Sequence, residues 1–170
     1  MEIKYEEASY YGQVRTNKDG ESIRHGLGGL YYTTGRFYEG EWVSGSRHGR
    51  GYEKFESYNT YEGEYSRGKA HGQGVYKWRN GEVYEGYWKD GLRDGKGRWA
   101  GVEEDFYEGD WMQGKAHGYG VHVWKNGDRY EGEWYQSYKH GEGTDSFVNG
   151  DRYVGEYYFG KFNGKGRFVW

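Results

Sequence analysis

The residues in this chain most able to do chemistry are its six histidines and a recurring pair of glutamates. His25, His48, His71, His117 and His140 hold one position of a 23-residue period. Repeated imidazoles raise the question of zinc, whose ligands must converge on a single ion. Strands in a sheet lie ~4.8 Å apart, so residues one two-strand unit apart are held ~10 Å from each other. Asp94 and Asn163 take the same position without disturbing the period. The position reads as a turn site whose side chain bonds backbone, and no metal or cofactor is expected. His122 lies off the position and reads as an ordinary face residue. Glu62 and Glu64 have the composition of a general-acid pair. The pair recurs as Glu39/Glu41 and Glu131/Glu133, whereas a catalytic site is singular, so it reads as a solvated charge ladder and no catalytic residue is assigned. The Gly-x-Gly pairs lack the glycine spacing and following helix of a phosphate loop. No Ser/His/Asp or Cys/His constellation stands out.

What positions these residues is a short stretch written many times. Its leading tyrosine falls at Tyr38, Tyr61, Tyr84, Tyr107, Tyr130 and Tyr153, always 23 residues apart. A glycine follows two residues later (Gly40 to Gly155), and an aromatic two after that: Trp42, Tyr65, Trp88, Trp111, Trp134 and Tyr157. The second half carries a Gly-x-Gly pair, from Gly26/Gly28 to Gly164/Gly166, in seven copies. The first copy is irregular, with five extra residues before His25-Gly26. Terminal repeats of an array are often atypical because they cap it.

Tyr-Glu-Gly-Glu-Trp followed by Gly-Lys-x-His-Gly-x-Gly, seen best in Tyr107–Gly120 and Tyr130–Gly143, resembles the MORN repeat (membrane occupation and recognition nexus). The departures are Asp94 and Asn163 at the histidine position and Ser137 at a turn glycine. The likeness spans about residues 10–170. One array over 1–170 is expected, with 1–37 an irregular first repeat or cap and 38–170 regular.

Tyr61, Gly63 and Tyr65 alternate with Glu62 and Glu64, so ring and glycine share one face of a strand and charge takes the other. In the second strand Gly72, Gly74, Tyr76 and Trp78 share a face by the same count. Asn80-Gly81, Asn126-Gly127 and Asn149-Gly150 read as tight hairpin turns, since both residues tolerate positive φ. A second turn carries Gly45, Gly68, Gly91, Gly114 or Gly160. The fold class is all-β: an elongated single-layer antiparallel β-meander of about seven 23-residue hairpin repeats, roughly 14 strands of ~5–6 residues. Strand spacing makes this a twisted strip on the order of 65 Å long. With no second layer, rings lying over glycines must supply the packing.

Composition agrees. Thirty-three glycines would suggest disorder, but 21% of residues are aromatic and they arrive on schedule. Proline is absent, as suits strands paired on both sides. No cysteine means no disulfide, which a cytosolic compartment permits. The start of the chain, Met1 to Glu7, has no apolar core and is too acidic for a transit peptide, so neither leader is expected. Net charge is −3 with signs interspersed, giving no pull toward nucleic acid and none of the clustered Lys/Arg that anionic lipid wants.

A one-layer sheet cannot cover its own face, and exposed aromatic patches mark interaction surfaces. The expected surface is a groove of Trp42, Tyr65, Trp78, Trp88, Trp111, Trp124 and Trp134 that takes a helix or extended peptide of a protein partner. The stretch 166–170, with Phe168 and Trp170, reads as an open edge strand for end-to-end self-association. The resemblance implies related functions: stand-alone MORN proteins occur in ciliary axonemes, including radial-spoke heads, and in the membrane-associated cytoskeleton of protists. The reading is a non-enzymatic scaffold, cytoplasmic, in cytoskeleton or cilium. A phosphoinositide or membrane module and an accessory domain of an enzyme are the alternatives.

Overall fold

The computed structural model describes all 170 residues. Alternation of ring and glycine with charge does give strands throughout, and no helix forms. The strands are β1 (Glu2–Lys4), β2 (Ala8–Thr16), β3 (Ser22–Tyr32), β4 (Phe37–Val43), β5 (Ser46–Lys54), β6 (Thr60–Ser66), β7 (Lys69–Lys77) and β8 (Val83–Lys89). They continue with β9 (Leu92–Ala100), β10 (Phe106–Met112), β11 (Lys115–Val123), β12 (Arg129–Tyr135), β13 (Tyr138–Ser146), β14 (Arg152–Tyr158) and β15 (Lys161–Val169). They form one open antiparallel sheet in chain order, the expected single-layer meander. There are fifteen strands, not about fourteen, because β1 adds to β2. They are longer than expected, seven or nine residues in every regular repeat. The cause is the turns, which are shorter than the glycine clusters suggest.

Two compact units divide the chain: Met1–Arg79 with Trp88–Gly91, and Asn80–Tyr87 with Leu92–Trp170. In the first, β1 to β7 pair consecutively. The irregular first copy proves to be a full repeat: Gly12 faces Gly28 as Gly40 faces Gly51, and the five extra residues lengthen the hairpin tip. In the second unit β9 to β15 pair consecutively, and β15 is bonded to β14 alone.

The two turn types are the reverse of the sequence expectation. Ser44-Gly45, Arg67-Gly68, Asp90-Gly91, Gln113-Gly114, Gln136-Ser137 and Phe159-Gly160 have positive φ at both residues, which is the two-residue hairpin turn. At Asn126-Gly127 only the glycine is left-handed. Trp124 N–H bonds Asp128 O at 2.9 Å, Gly127 N–H bonds Trp124 O at 2.8 Å, and Asn126 Oδ1 accepts the Asp128 N–H at 3.0 Å. Asn126 thus acts through its side chain in a longer turn, a usual role for asparagine.

The tight turns also stitch repeats together. Gly45 N–H donates to Arg24 O at 2.9 Å, and the bond recurs 23 residues on at Gly68 and Arg47. The same bond joins Gly114 to Arg93, Ser137 to Ala116 and Gly160 to Lys139, each at 2.8 Å.

The core is a column of rings. In the first unit Tyr38 meets Trp42 at 5.0 Å and Tyr65 at 5.1 Å, and Tyr61 meets Tyr65 at 5.1 Å and Trp88 at 5.3 Å, all edge-on. In the second unit Tyr107 meets Trp111 at 5.0 Å and Trp134 at 5.3 Å, and Tyr130 meets Trp134 at 5.1 Å and Tyr157 at 5.2 Å, again edge-on. Edge-to-face pairs contribute ~0.5–1.5 kcal/mol each beyond burial. Each leading tyrosine lies over the glycine pair beside it. A Cβ on Gly74 would stand 2.4 Å from the Tyr61 hydroxyl, and one on Gly63 would stand 2.5 Å from Gly74 Cα.

Candidate functional site

Buried rings carry polar atoms that must be satisfied, and the repeat does this in fixed ways. The leading tyrosine donates to the carbonyl three residues on: Tyr61 to Glu64 at 2.9 Å, Tyr107 to Asp110 at 2.9 Å, Tyr130 to Glu133 at 2.9 Å. Each column tryptophan donates Nε1–H to a glycine carbonyl of the preceding repeat: Trp42 to Gly28 (2.9 Å), Trp88 to Gly74 (3.1 Å), Trp111 to Gly97 (3.0 Å), Trp134 to Gly120 (3.1 Å). Where the column holds tyrosine, the preceding repeat supplies an acid. Tyr65 donates to Glu53 Oε2 at 3.0 Å and Tyr157 to Asp145 Oδ2 at 2.7 Å. These two acids are the buried charged residues of the core. Arg36 and Arg47 ion-pair with Glu53, and Lys139 ion-pairs with Asp145 at 2.5 Å.

Burial drives the column phenols well above their usual range at Tyr38, Tyr61, Tyr84, Tyr107 and Tyr130. Tyr65 and Tyr157 are driven up by burial first, and further by the charge and hydrogen bond of Glu53 and Asp145. At Tyr31 on the other face the hydrogen bond to Glu39 comes first and pushes the phenol up to about 12. Tyr157→Phe should cost about 1.5–3 kcal/mol in chemical denaturation, the value of a hydrogen bond to a charged group. Tyr130→Phe, whose partner is a neutral carbonyl, should cost about 1 kcal/mol.

The turn role of the histidine position is seen at three copies: His25 Nδ1 accepts Ser44 N–H at 3.4 Å, His140 Nδ1 accepts Phe159 N–H at 3.5 Å, and Asp94 Oδ2 accepts Gln113 N–H at 3.2 Å. Each reaches the first residue of the next tight turn. His71 differs, its Nδ1 buried without a hydrogen bond. The charge-ladder reading needs correction for the second glutamate. Glu41 accepts Arg50 N–H at 2.8 Å, Glu64 accepts Gln73 N–H at 3.1 Å, and Glu133 accepts Glu142 N–H at 3.2 Å. Strand register shifts here: Gly63 faces Gly74 but Tyr65 faces Ala70. The extra residues form a bulge with Gly72 left-handed (φ 61°), and a Cβ on it would fall 2.6 Å from the Glu64 carboxylate. Gly72 therefore meets the acid, not the aromatic face assigned to it by alternation.

The expected groove set divides. Trp42, Tyr65, Trp88, Trp111 and Trp134 are no more than 9% exposed, locked in the column by their neighbours and their hydrogen bonds. Trp78 and Trp124 are half-buried and form an outer tier. In the first unit Tyr76 meets Trp78 at 4.6 Å and Trp88 at 6.0 Å. In the second unit His122 stacks on Trp124 at 4.3 Å and 14°, and its Nε2 lies 2.7 Å from Asp105 Oδ1. His122 is thus more than a face residue, tying the outer tier to a carboxylate. Phe168 stacks on Phe147 at 6.3 Å, and Trp170, 88% exposed, stacks on Phe168 at 5.0 Å.

Beside Trp124 lies an open cleft of about 640 Å³. Trp124 and Phe147 line it, with Asp105, Asp128, Asp145 and Lys139. Sequence reading missed this acid set. Its signal is the position fifteen after each leading tyrosine, which reads Glu53, Tyr76, Trp99, His122, Asp145 and Phe168 inside an otherwise uniform unit. A patch at the tight-turn end was missed as well: Tyr135, Tyr138, Tyr158 and Phe159 are exposed and in contact, with Phe159 5.7 Å from Tyr135 and 4.8 Å from Tyr158.

A family model described as the MORN repeat matches six times, at residues 38–60, 61–83, 84–101, 107–129, 130–152 and 153–170. No curated protein matches the chain significantly. Among solved structures, the SAS-4 (dCPAP) TCP domain of Drosophila melanogaster, in complex with a proline-rich motif of Ana2 (dSTIL), is 12% identical with a TM-score of 0.48, covering 92% of this chain and 88% of that one. The wild-type TCP10 domain of Danio rerio CPAP is 10% identical with a TM-score of 0.35, covering 85% and 83%. Likeness this slight carries no argument about what the chain binds.

Proposed function

This chain belongs to the MORN repeat family, and from that premise we propose that it is a non-enzymatic protein-interaction scaffold working in a cytoskeletal assembly, a ciliary one included. The outer aromatic tier is the observation that carries the reading. Rings of the column are spent on the fold, whereas Trp78 in one unit and Trp124 in the other lie half-buried at its margin. Aromatic residues in such settings anchor partners. The occupant is a helix or extended peptide of another protein, with the column tryptophans as the floor beneath it. The exposed β15, with Phe168 in it and Trp170 just beyond its end, offers strand pairing to a second copy or another protein. Most ionisable groups with displaced titration are tyrosines of the packed column, whose shift comes first from burial, which favours binding over catalysis.

Membrane recruitment is the rival. It wants clustered Lys/Arg, and here the cations Arg36, Arg47 and Lys139 are engaged with buried acids. The test is crosslinked affinity capture from the cell of origin, with wild type and Trp78→Ala and Trp124→Ala variants of unchanged circular dichroism. Specific protein partners lost about tenfold in one variant or the other are expected. Co-sedimentation with phosphatidylserine or phosphoinositide vesicles, without a protein partner, would overturn the scaffold reading.

A further inference from the structure

Two positions of each repeat, seventeen residues apart, close on one another in four successive units. Arg36 bonds Glu53 (2.6 Å), Asn59 bonds Tyr76 (2.9 Å), Glu82 bonds Trp99 (3.1 Å) and Asp105 bonds His122 (2.7 Å). The next pair is Asp128 and Asp145, two acids that cannot close the bond while ionised. Asp145 keeps the rest of the arrangement found at Glu53, since Lys139 and Tyr157 stand where Arg47 and Tyr65 do. What is missing is the counterpart of Arg36.

Arg36 shows what that place holds. Its Nε and Nη2 donate to Glu53 Oε1 at 3.0 and 2.6 Å. Its guanidinium carbon lies 5.1 Å from the Tyr32 ring centre and 5.9 Å from that of Phe55. Four periods along the chain, Trp124 stands for Tyr32, Phe147 for Phe55, Asp145 for Glu53 and Asp128 for Arg36. The rings and acids of this cradle border the open cleft. Neighbouring charges are spoken for: Asp105 pairs with His122, Lys125 with Glu103, and Lys139 with Asp145, its ammonium also 4.6 Å from the Trp124 ring centre, so an incoming cation shares that ring with it. The Asp128 carboxylate accepts Val148 N–H at 3.0 Å and the Asn126 amide at 2.8 Å, neither of them a cation.

We propose that this cleft takes an arginine side chain of a protein partner, its guanidinium between Trp124 and Phe147 with Asp128 as counter-charge. This rests on the scaffold reading and names the chemistry the partner brings. Arginine fits better than lysine because a planar guanidinium stacks on rings while forking onto a carboxylate.

The full chain, labelled at its tryptophan indoles, is titrated with N-acetyl-arginine amide and with the matching lysine and citrulline amides, followed by NMR. A saturable shift of the Trp124 indole with the arginine compound at millimolar concentration is expected, with citrulline inert. Asp128→Arg, which rebuilds the Arg36 arrangement from within, should abolish the shift at unchanged Tm, and Asp128→Asn should weaken it at least fivefold. Citrulline or lysine acting as well as arginine, or Asp128→Arg binding as wild type, overturns the proposal. Arginine amide without effect, with partner capture still dependent on Trp78 or Trp124, removes the cleft and leaves the scaffold standing. The reverse pattern removes the scaffold and leaves a cation site.

Discussion

Alkali should unfold this protein in one sharp step close to pH 11. Seven phenols, at Tyr38, Tyr61, Tyr65, Tyr84, Tyr107, Tyr130 and Tyr157, are held neutral in the folded state mainly by burial. In the unfolded chain each ionises near pH 10. Above that pH the unfolded state binds fewer protons than the native one, so stability falls as pH rises. The contribution is complete below pH 10 and is withdrawn progressively above it. One unit above the unfolded pKa the loss is about 1.4 kcal/mol per phenol. Seven such groups lose on the order of 10 kcal/mol, comparable with the whole stability of an ordinary domain. Phenolate absorbance and far-ultraviolet circular dichroism should change together. Smooth ionisation of all the tyrosines about pH 10 with the sheet signal intact would show that the column does not shield them.

The second large effect belongs to the glycine pairs. Gly74→Ala places a methyl group 2.4 Å from the Tyr61 hydroxyl and 2.6 Å from its ring. The ring cannot retreat, because Tyr65 and Trp88 meet it at 5.1 and 5.3 Å and its hydroxyl is bound to Glu64 O. A cost of about 3–4 kcal/mol in denaturant unfolding is expected, at the upper end for overpacking. Gly68→Ala is the control. No atom lies within 4 Å of its Cβ, but its φ of +81° is left-handed, so about 1–2 kcal/mol is due to backbone strain alone. In a Tyr61→Leu background the cost of Gly74→Ala should shrink, because the clash with the phenol is gone. Equal costs for the two alanines would mean that the ring is free to move.

The strand pattern could be read in the sequence because ring and glycine recur at fixed phase: Tyr61, Gly63 and Tyr65 share the face that alternation gives them, with both rings buried. The turns could not, because Asn-Gly serves two different turns and loop length decides between them. Trp124 to Asp128 closes the longer one. Nor could the bulge be read, since Gly72 and Gly74 look alike until the register shift beside Glu64 separates them. The candidate surface suffered for a related reason. Trp134 and Trp124 both fall on the aromatic side by count, yet only Trp134 finds a carbonyl, at Gly120, and closes over. Which rings stay accessible is settled by hydrogen bonds between repeats, and a single unit does not display those.

Those inter-repeat bonds also impose a grammar of adjacency on the array. Every tryptophan junction is generic: the indole asks its predecessor only for a glycine carbonyl, which any repeat can offer. The tyrosine junctions are matched pairs, because Tyr65 and Tyr157 ask for Glu53 and Asp145 specifically. Excising 84–106 would splice one generic junction to another, whereas excising 61–83 would set Trp88 behind Glu53, leaving that buried carboxylate its arginines but not the phenol that completes its shell. Duplication and loss of whole modules can therefore lengthen or shorten such a chain freely at some seams and hardly at all at others.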